Sequence, residues 1–179
     1  MNLSEFRRTY DLVDRDGFLE TFRAPFLLVN TTDPDRASKE KGGKAAEVWS
    51  KSTILSNRSN GSGTLISAVF PLGEPGRKGG EATLTIGRSN ENDIPIPNPS
   101  ISRRHARIDR DASWETFSLA DVGSSYGTTL NGAPLPPKQA HRLQNGTTVV
   151  FGQVAFCTFF SPGDFFNFLH ILDASKEKE

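Results

Sequence analysis

From Thr64 onward the apolar residues come in short bursts at every second position, with turn-forming residues between the bursts. Leu65 to Phe70, Ala82 to Ile86, Ile94 to Ile96, Ala106 to Ile108, Phe117 to Val122, Thr128 to Leu130, Val149 to Phe151 and Val154 to Phe160 each read as a strand, because alternate side chains of a strand share one face. Gly73-Glu74-Pro75-Gly76, Asn98-Pro99, Asn131-Gly132 and Asn145-Gly146 punctuate them. An Asn-Gly pair is a strong hairpin signal, since it accepts positive φ at both central turn positions. Upstream, Phe26-Leu27-Leu28-Val29, closed by Asn30-Thr31-Thr32-Asp33-Pro34, supplies a first core strand. Many short strands at close spacing predict an all-β fold, an antiparallel sandwich.

The flanks follow other patterns. Leu3, Phe6, Tyr10, Val13, Phe18, Leu19 and Phe22 have a mostly helical spacing broken near Asp16-Gly17, so residues 1–23 read as an N-terminal helical extension. Residues 24–160 form the sandwich, interrupted at about 31–63 by a polar insertion whose few apolar residues, Val48, Trp49, Ile54 and Leu55, suit a short docked piece. In residues 161–179, Ser161-Pro162-Gly163-Asp164 starts a helix whose apolar face is Phe165, Phe168, Leu169 and Leu172, widened by Phe166 and Ile171. That helix closes on the sandwich, and Lys176-Glu177-Lys178-Glu179 frays.

Composition narrows the function. At 179 residues the chain holds one core with extensions rather than two full domains. Lys plus Arg equals Asp plus Glu at 21 each, which leaves no overall basic excess for nucleic acid or an anionic membrane. Arg103, Arg104, Arg107 and Arg110 are interrupted by Asp109 and Asp111, which argues further against a nucleic-acid binder. One cysteine, Cys157, and three histidines, His105, His141 and His170, give neither a disulfide nor metal-ligand spacing, and no cofactor motif stands out. The N-terminus lacks the apolar stretch of a signal peptide and no segment reaches spanning length, so a cytoplasmic protein is expected.

Three clusters carry chemistry: Gly87-Arg88-Ser89, Ser100-Ile101-Ser102-Arg103-Arg104-His105 and Gly123-Ser124-Ser125-Tyr126-Gly127. Guanidinium groups, hydroxyls and glycine-flanked amides are donors suited to an anion's oxygens. Ser102 and His105 could be cast as nucleophile and base, but no orienting acid accompanies them in these loops, so an enzyme is not expected. The bland reading of Arg88 is a structural ion pair with Asp93 or another acid.

The motifs Leu84-Thr85-Ile86-Gly87-Arg88, Asn92-Asp93-Ile94, Ser102-Arg103-Arg104-His105-Ala106, Asp121-Val122-Gly123-Ser124-Ser125-Tyr126-Gly127-Thr128 and Asn131-Gly132 recur in the order of the forkhead-associated (FHA) domain family, which the chain resembles from about residue 64 to 160. The resemblance implies an eleven-stranded β-sandwich that reads phosphothreonine peptides, with a Ser/Thr kinase or its substrate as partner and no cofactor. It assigns phosphopeptide contacts to Arg88, Ser102, Arg103, Ser125 and Tyr126, and support of the binding loops to Gly87, His105, Gly127 and Asn131. The fixed guanidinium of Arg88 suits two charge-assisted bonds to phosphate oxygens. Asn131-Gly132 reads first as a hairpin turn. Tyr126 departs from the family, which usually has an asparagine there to hold the peptide backbone, so the register and flanking preference of the peptide are open. A phosphate-independent docking module on the same fold is the alternative.

Overall fold

The computed structural model describes residues 1–10, 14–32, 65–73, 83–111, 113 and 115–174. Strand β1 (Phe26–Thr32) opens with four consecutive apolar side chains, all buried. Neighbouring side chains on a strand point to opposite faces, so such a run demands cover on both sides. Leu27 and Val29 enter the core between two sheets, while Phe26 and Leu28 enter a second, aromatic core behind the first sheet.

Ten more strands complete the sandwich. They are β2 (Leu65–Pro71), β3 (Thr83–Gly87), β4 (Ile94–Pro95), β5 (Ala106–Arg110), β6 (Phe117–Asp121), β7 (Thr128–Leu130), β8 (Ala133–Pro134), β9 (His141–Leu143), β10 (Thr148–Phe151) and β11 (Ala155–Phe160). One sheet runs β2-β1-β11-β10-β7-β8 and the other β4-β3-β5-β6-β9. In β11 burial alternates strictly, with Ala155, Cys157 and Phe159 facing inward against Val149 and Phe151. The facing sheet contributes Ile86, Ile108, Phe117 and Leu119.

Several expectations are corrected. One pairing is parallel, β3 with β4 in the register Ile86 to Ile94, although the others are antiparallel. Asp93 explains it locally: its Oδ2 accepts both the backbone N–H and the hydroxyl of Thr85 at 2.8 Å, folding the chain back beside β3. Strands β8 and β9 were not foreseen, being too short to show a period of two. The Asn131-Gly132 hairpin has positive φ at both residues, 49° and 82°, whereas at Asn145-Gly146 only the glycine does, at 77°. Asn145 instead accepts the Ser161 N–H at 2.8 Å through its side chain.

Strand β1 continues through Thr32. Residues 33–64, where the polar insertion and its docked piece are expected, and the expected fraying tail lie outside the described residues.

Helix α1 (Leu3–Thr9) starts with a capping box between Asn2 and Glu5, and α2 (Arg15–Thr21) with Asp14 accepting the Asp16 and Gly17 N–H groups. The helical break therefore falls before residue 15, and Asp16-Gly17 is the first turn of α2 rather than a stop. Helix α3 spans Pro162–Ala174, with the Ser161 hydroxyl accepting the Asp164 N–H at 3.3 Å and donating to its carboxylate at 2.7 Å.

Phe6, Phe18, Phe165, Phe166 and Leu169 of these helices cover Phe26, Leu28 and Val69. Phe165 stacks on Phe26 with ring centroids 4.4 Å apart, and Phe6 meets Phe26 edge-on at 5.7 Å. Ile171 faces outward instead, at 53 % exposure. The Met1 carbonyl accepts the Val69 N–H, which covers the outer edge of β2. Among the described residues no helix is long and apolar enough to cross a membrane.

Candidate functional site

Strand geometry gathers three loops at one end of the sandwich: 88–93 after β3, 96–105 before β5 and 122–127 between β6 and β7. The first two are laced through their backbones. The Arg88 N–H donates to the Ser102 carbonyl at 2.9 Å, and the Ser89 N–H to the Arg103 carbonyl at 3.4 Å. A Cβ at Gly87 would collide with the Arg103 carbonyl, so the residue before Arg88 must be glycine for reasons of space. Buried Asn92 completes the lacing, its Nδ2 donating to the Ser89 and Arg103 carbonyls at 2.8 and 2.7 Å.

His105 joins the second loop to the third. Its ring is fully buried; Nδ1 accepts the Ser102 N–H at 3.2 Å, and Nε2 stands 3.1 Å from the Gly127 carbonyl. A carbonyl can only accept, so the proton resides on Nε2. Burial pushes the imidazole below its ordinary pKa, against the opposing pull of the Gly127 carbonyl and the Asp121 charge. Both ring nitrogens are thus spent on backbone groups. His105 is not placed to activate the Ser102 hydroxyl, and the Ser-His pair lacks the geometry of a nucleophile and its base.

Asp121 organises the third loop from beneath. Its buried carboxylate accepts the Gly123 and Ser124 N–H groups at 2.7 and 2.8 Å, the Ser124 hydroxyl at 2.7 Å and the Thr128 hydroxyl at 2.6 Å. Burial alone would raise this carboxyl; the bonds from Thr128, Ser124 and Gly123 together outweigh it and hold the group below the usual carboxylate range. The loop also needs positive φ at Gly123 and Gly127, 101° and 72°.

Behind these loops sits Gly152, where a Cβ would strike the Ser100 carbonyl. Its N–H donates to the Gly127 carbonyl at 3.0 Å. The β10–β11 turn therefore braces two of the three loops.

On the outer side, the Ser102 hydroxyl accepts the Ser125 N–H at 3.0 Å and lies 3.4 Å from the Ser125 hydroxyl. Arg88 is exposed, holding only a long 3.5 Å bond to the Pro99 carbonyl and no ion pair among the described residues. The Asp93 partnership considered for it is not formed. Arg103 and Arg104 are exposed and likewise form no ion pair among the described residues, whereas Arg107 is paired to Asp109 at 2.9 Å. Tyr126 is exposed beside Ser125.

Arg88, Ser102, Arg103, Ser125 and Tyr126 thus stand on loops bonded to one another, with Gly87, His105 and Gly127 within the same framework. Asn131 does not join them: it lies at the far end of β7 and bonds through its backbone and side chain to Thr148 of β10. Three contributors have no role in the sequence reading: Asn92 and Asp121, which appear there only within motifs, and Gly152. For Asp121 a signal existed, since an aspartate with glycine and serine two and three residues on is the pattern of a side chain capping its own turn. Among the described residues no group of three or more His, Cys, Asp or Glu could hold a metal ion.

The chain is similar to several known proteins. The FHA domain profile matches residues 84–152. The oxoglutarate dehydrogenase inhibitor of Corynebacterium diphtheriae is 32% identical over 140 residues, covering 73% of this chain and 88% of that protein. Mediator of DNA damage checkpoint protein 1 from Mus musculus is 34% identical over 103 residues, 50% of this chain. Kanadaptin from Homo sapiens is 33% identical over 82 residues, 41% of this chain. The match spans only 6% and 11% of those two longer proteins. Among solved structures, the FHA domain of a Chlamydia trachomatis protein aligns with a TM-score of 0.46 at 20% identity, over 76% of this chain and 97% of its own. The chain belongs to the FHA domain family, a family of binding modules.

Proposed function

We propose that this chain is a phosphothreonine-dependent protein-binding module that recognises phosphorylated partners in Ser/Thr kinase signalling, the partner being a kinase or its substrate in the cytoplasm. The observation that carries this reading is the exposed Arg88, free of any ion pair among the described residues, on a loop whose backbone is bonded to that of Ser102. The Ser102 hydroxyl is in turn bonded to Ser125 of the third loop. A phosphate seated there would accept from the guanidinium and both hydroxyls, and charge-assisted bonds of this kind are about twice as strong as neutral ones. The loop acid, Asp121, is buried and fully engaged beneath the loop, so its charge is turned away from the phosphate.

Discrimination of threonine from serine rests on one methyl group, worth about 0.8 kcal/mol if buried. Fluorescence anisotropy with one peptide in phosphothreonine, phosphoserine and unphosphorylated forms tests the proposal. The phosphothreonine form binds best and the unphosphorylated form worst; equal binding of all three returns the chain to a phosphate-independent docking role.

One relative favours a particular kind of partner. The Corynebacterium protein is named as an inhibitor of oxoglutarate dehydrogenase and is matched over 88% of its length. A metabolic enzyme restrained by docking of this chain is therefore a second reading, and adding the purified chain to oxoglutarate dehydrogenase while following its turnover tests it.

A further inference from the structure

We infer that Val122 and Tyr126 form an apolar step beside Ser125 that selects a large apolar side chain close to the phosphothreonine of the partner, an inference that rests on the phosphopeptide reading above. Among the described residues the large hydrophobic side chains left exposed are Met1 (51%), Val122 (37%), Tyr126 (60%) and Ile171 (53%). Met1 and Ile171 belong to the helical cap behind the sandwich, on α1's approach and on α3. The other two share the six-residue loop that holds Ser125.

Their exposure is not slack in the chain. Val122 donates its N–H to the His105 carbonyl at 3.1 Å, and Asp121 bonds to Gly123 and Ser124 at one end of the loop and to Thr128 at the other. The backbone beneath both side chains is held in place while the side chains face solvent. Tyr126 has no hydrogen bond or ring contact among the described residues and is 60% exposed, which leaves much of the ring open to a partner. At Gly123 and Gly127 the space a side chain would occupy is open to 4 Å, which leaves the loop accessible on both flanks.

The two residues stand on the loop that carries Ser125 of the proposed anion site. The Ser125 N–H faces the Ser102 hydroxyl, and the next residue in the chain is Tyr126. An extended peptide advances about 3.4 Å per residue, so a ring one residue from the phosphate seat meets a side chain within about two or three residues of the phosphothreonine.

Tyrosine by itself would accept an apolar group or a cation over its face. Val122 decides between them, since an aliphatic side chain gains only from apolar contact. Exposed Arg88, Arg103 and Arg104 on the adjoining loops also repel a basic flanking residue.

The test uses anisotropy on the full chain with short phosphothreonine peptides, each flanking position carrying Ala, Leu, Phe, Lys or Asp in turn, plus the unphosphorylated twin of each. At one position the Leu and Phe peptides bind about tenfold more tightly than Ala, with Lys no better than Ala. Val122→Ser and Tyr126→Asn, both at exposed positions, each cut that preference below about threefold. A flat profile with phosphate dependence retained overturns the apolar step alone, as does a preference for Lys. Binding indifferent to phosphate across the set overturns the phosphopeptide reading and the step with it.

Discussion

The imidazole of His105 accepts the Ser102 backbone N–H at 3.2 Å, fixing the serine whose hydroxyl meets the Ser125 N–H on the neighbouring loop. One buried ring therefore sets the spacing of the two loops that carry the hydroxyls.

Replacing that ring orphans a donor. His105→Ala leaves the Ser102 N–H without its acceptor, leaves the Gly127 carbonyl only the Gly152 N–H, and opens a void against Phe151, whose ring lies 5.5 Å away. An unsatisfied buried donor costs about 1–3 kcal/mol and the void adds to it, so urea denaturation records a loss of about 3 kcal/mol, and phosphopeptide affinity falls with it.

The same ring makes the fold sensitive to acid. Its pKa in the folded chain lies below the ordinary 6.5, so between those two values the unfolded chain binds the proton more readily. The His105 contribution is complete above pH 6.5 and is lost as pH falls from there through the depressed folded value. Asp121, also depressed, adds a second loss below its ordinary 3.8. Thermal melts across this range fall as the pH drops below about 6.5, and His105→Gln flattens the upper part of the curve.

Gly87→Ala tests close approach rather than conformational freedom. The added methyl meets the Arg103 carbonyl, and the two loops must part to admit it. Overpacking of this kind costs about 1–3 kcal/mol. Calorimetry records the lower melting temperature, and anisotropy a weaker phosphopeptide complex.

Asp121→Asn keeps the size of the side chain but replaces one acceptor oxygen with a donor nitrogen facing the Thr128 and Ser124 hydroxyls or the Gly123 N–H. The buried site loses charge-assisted bonds worth about 1.5–3 kcal/mol each, offset in part where a hydroxyl can rotate. Amide hydrogen exchange at Gly123 and Ser124 accelerates.

The helical cap is part of the folding unit. Phe6 is 1% exposed and touches the rings of Phe18, Phe26 and Phe165. Phe6→Ala costs about 3–5 kcal/mol, measured by denaturation, because it leaves a cavity among those rings on the outer face of β1.

The strands with clear alternation, such as Ala155 to Phe160, were legible because burial imposes a period of two on them. The two-residue β8 and three-residue β9 were not, since they carry too few residues to express a period and are fixed by their neighbours. The β3–β4 pair eluded a rule built on turns: its direction is set by Asp93 bonding to Thr85 eight residues away in sequence terms, a tertiary choice. In the candidate site, the loops and the supports Gly87, His105 and Gly127 were readable from their motifs, whereas the role of Asn92 and the place of Gly152 were not: each acts only where the Arg103 or Ser100 carbonyl comes beside it in the fold.

The most direct measurement is a titration of one phosphothreonine peptide against the native chain and its Arg88→Ala and Ser102→Ala variants, with melting temperatures taken alongside. Each truncation removes an exposed or half-exposed group, so the melts stay within a few degrees while affinity falls by about tenfold or more. Undiminished affinity in Arg88→Ala, with its melt unchanged, would contradict the central claim that this guanidinium and the Ser102 hydroxyl hold the phosphate.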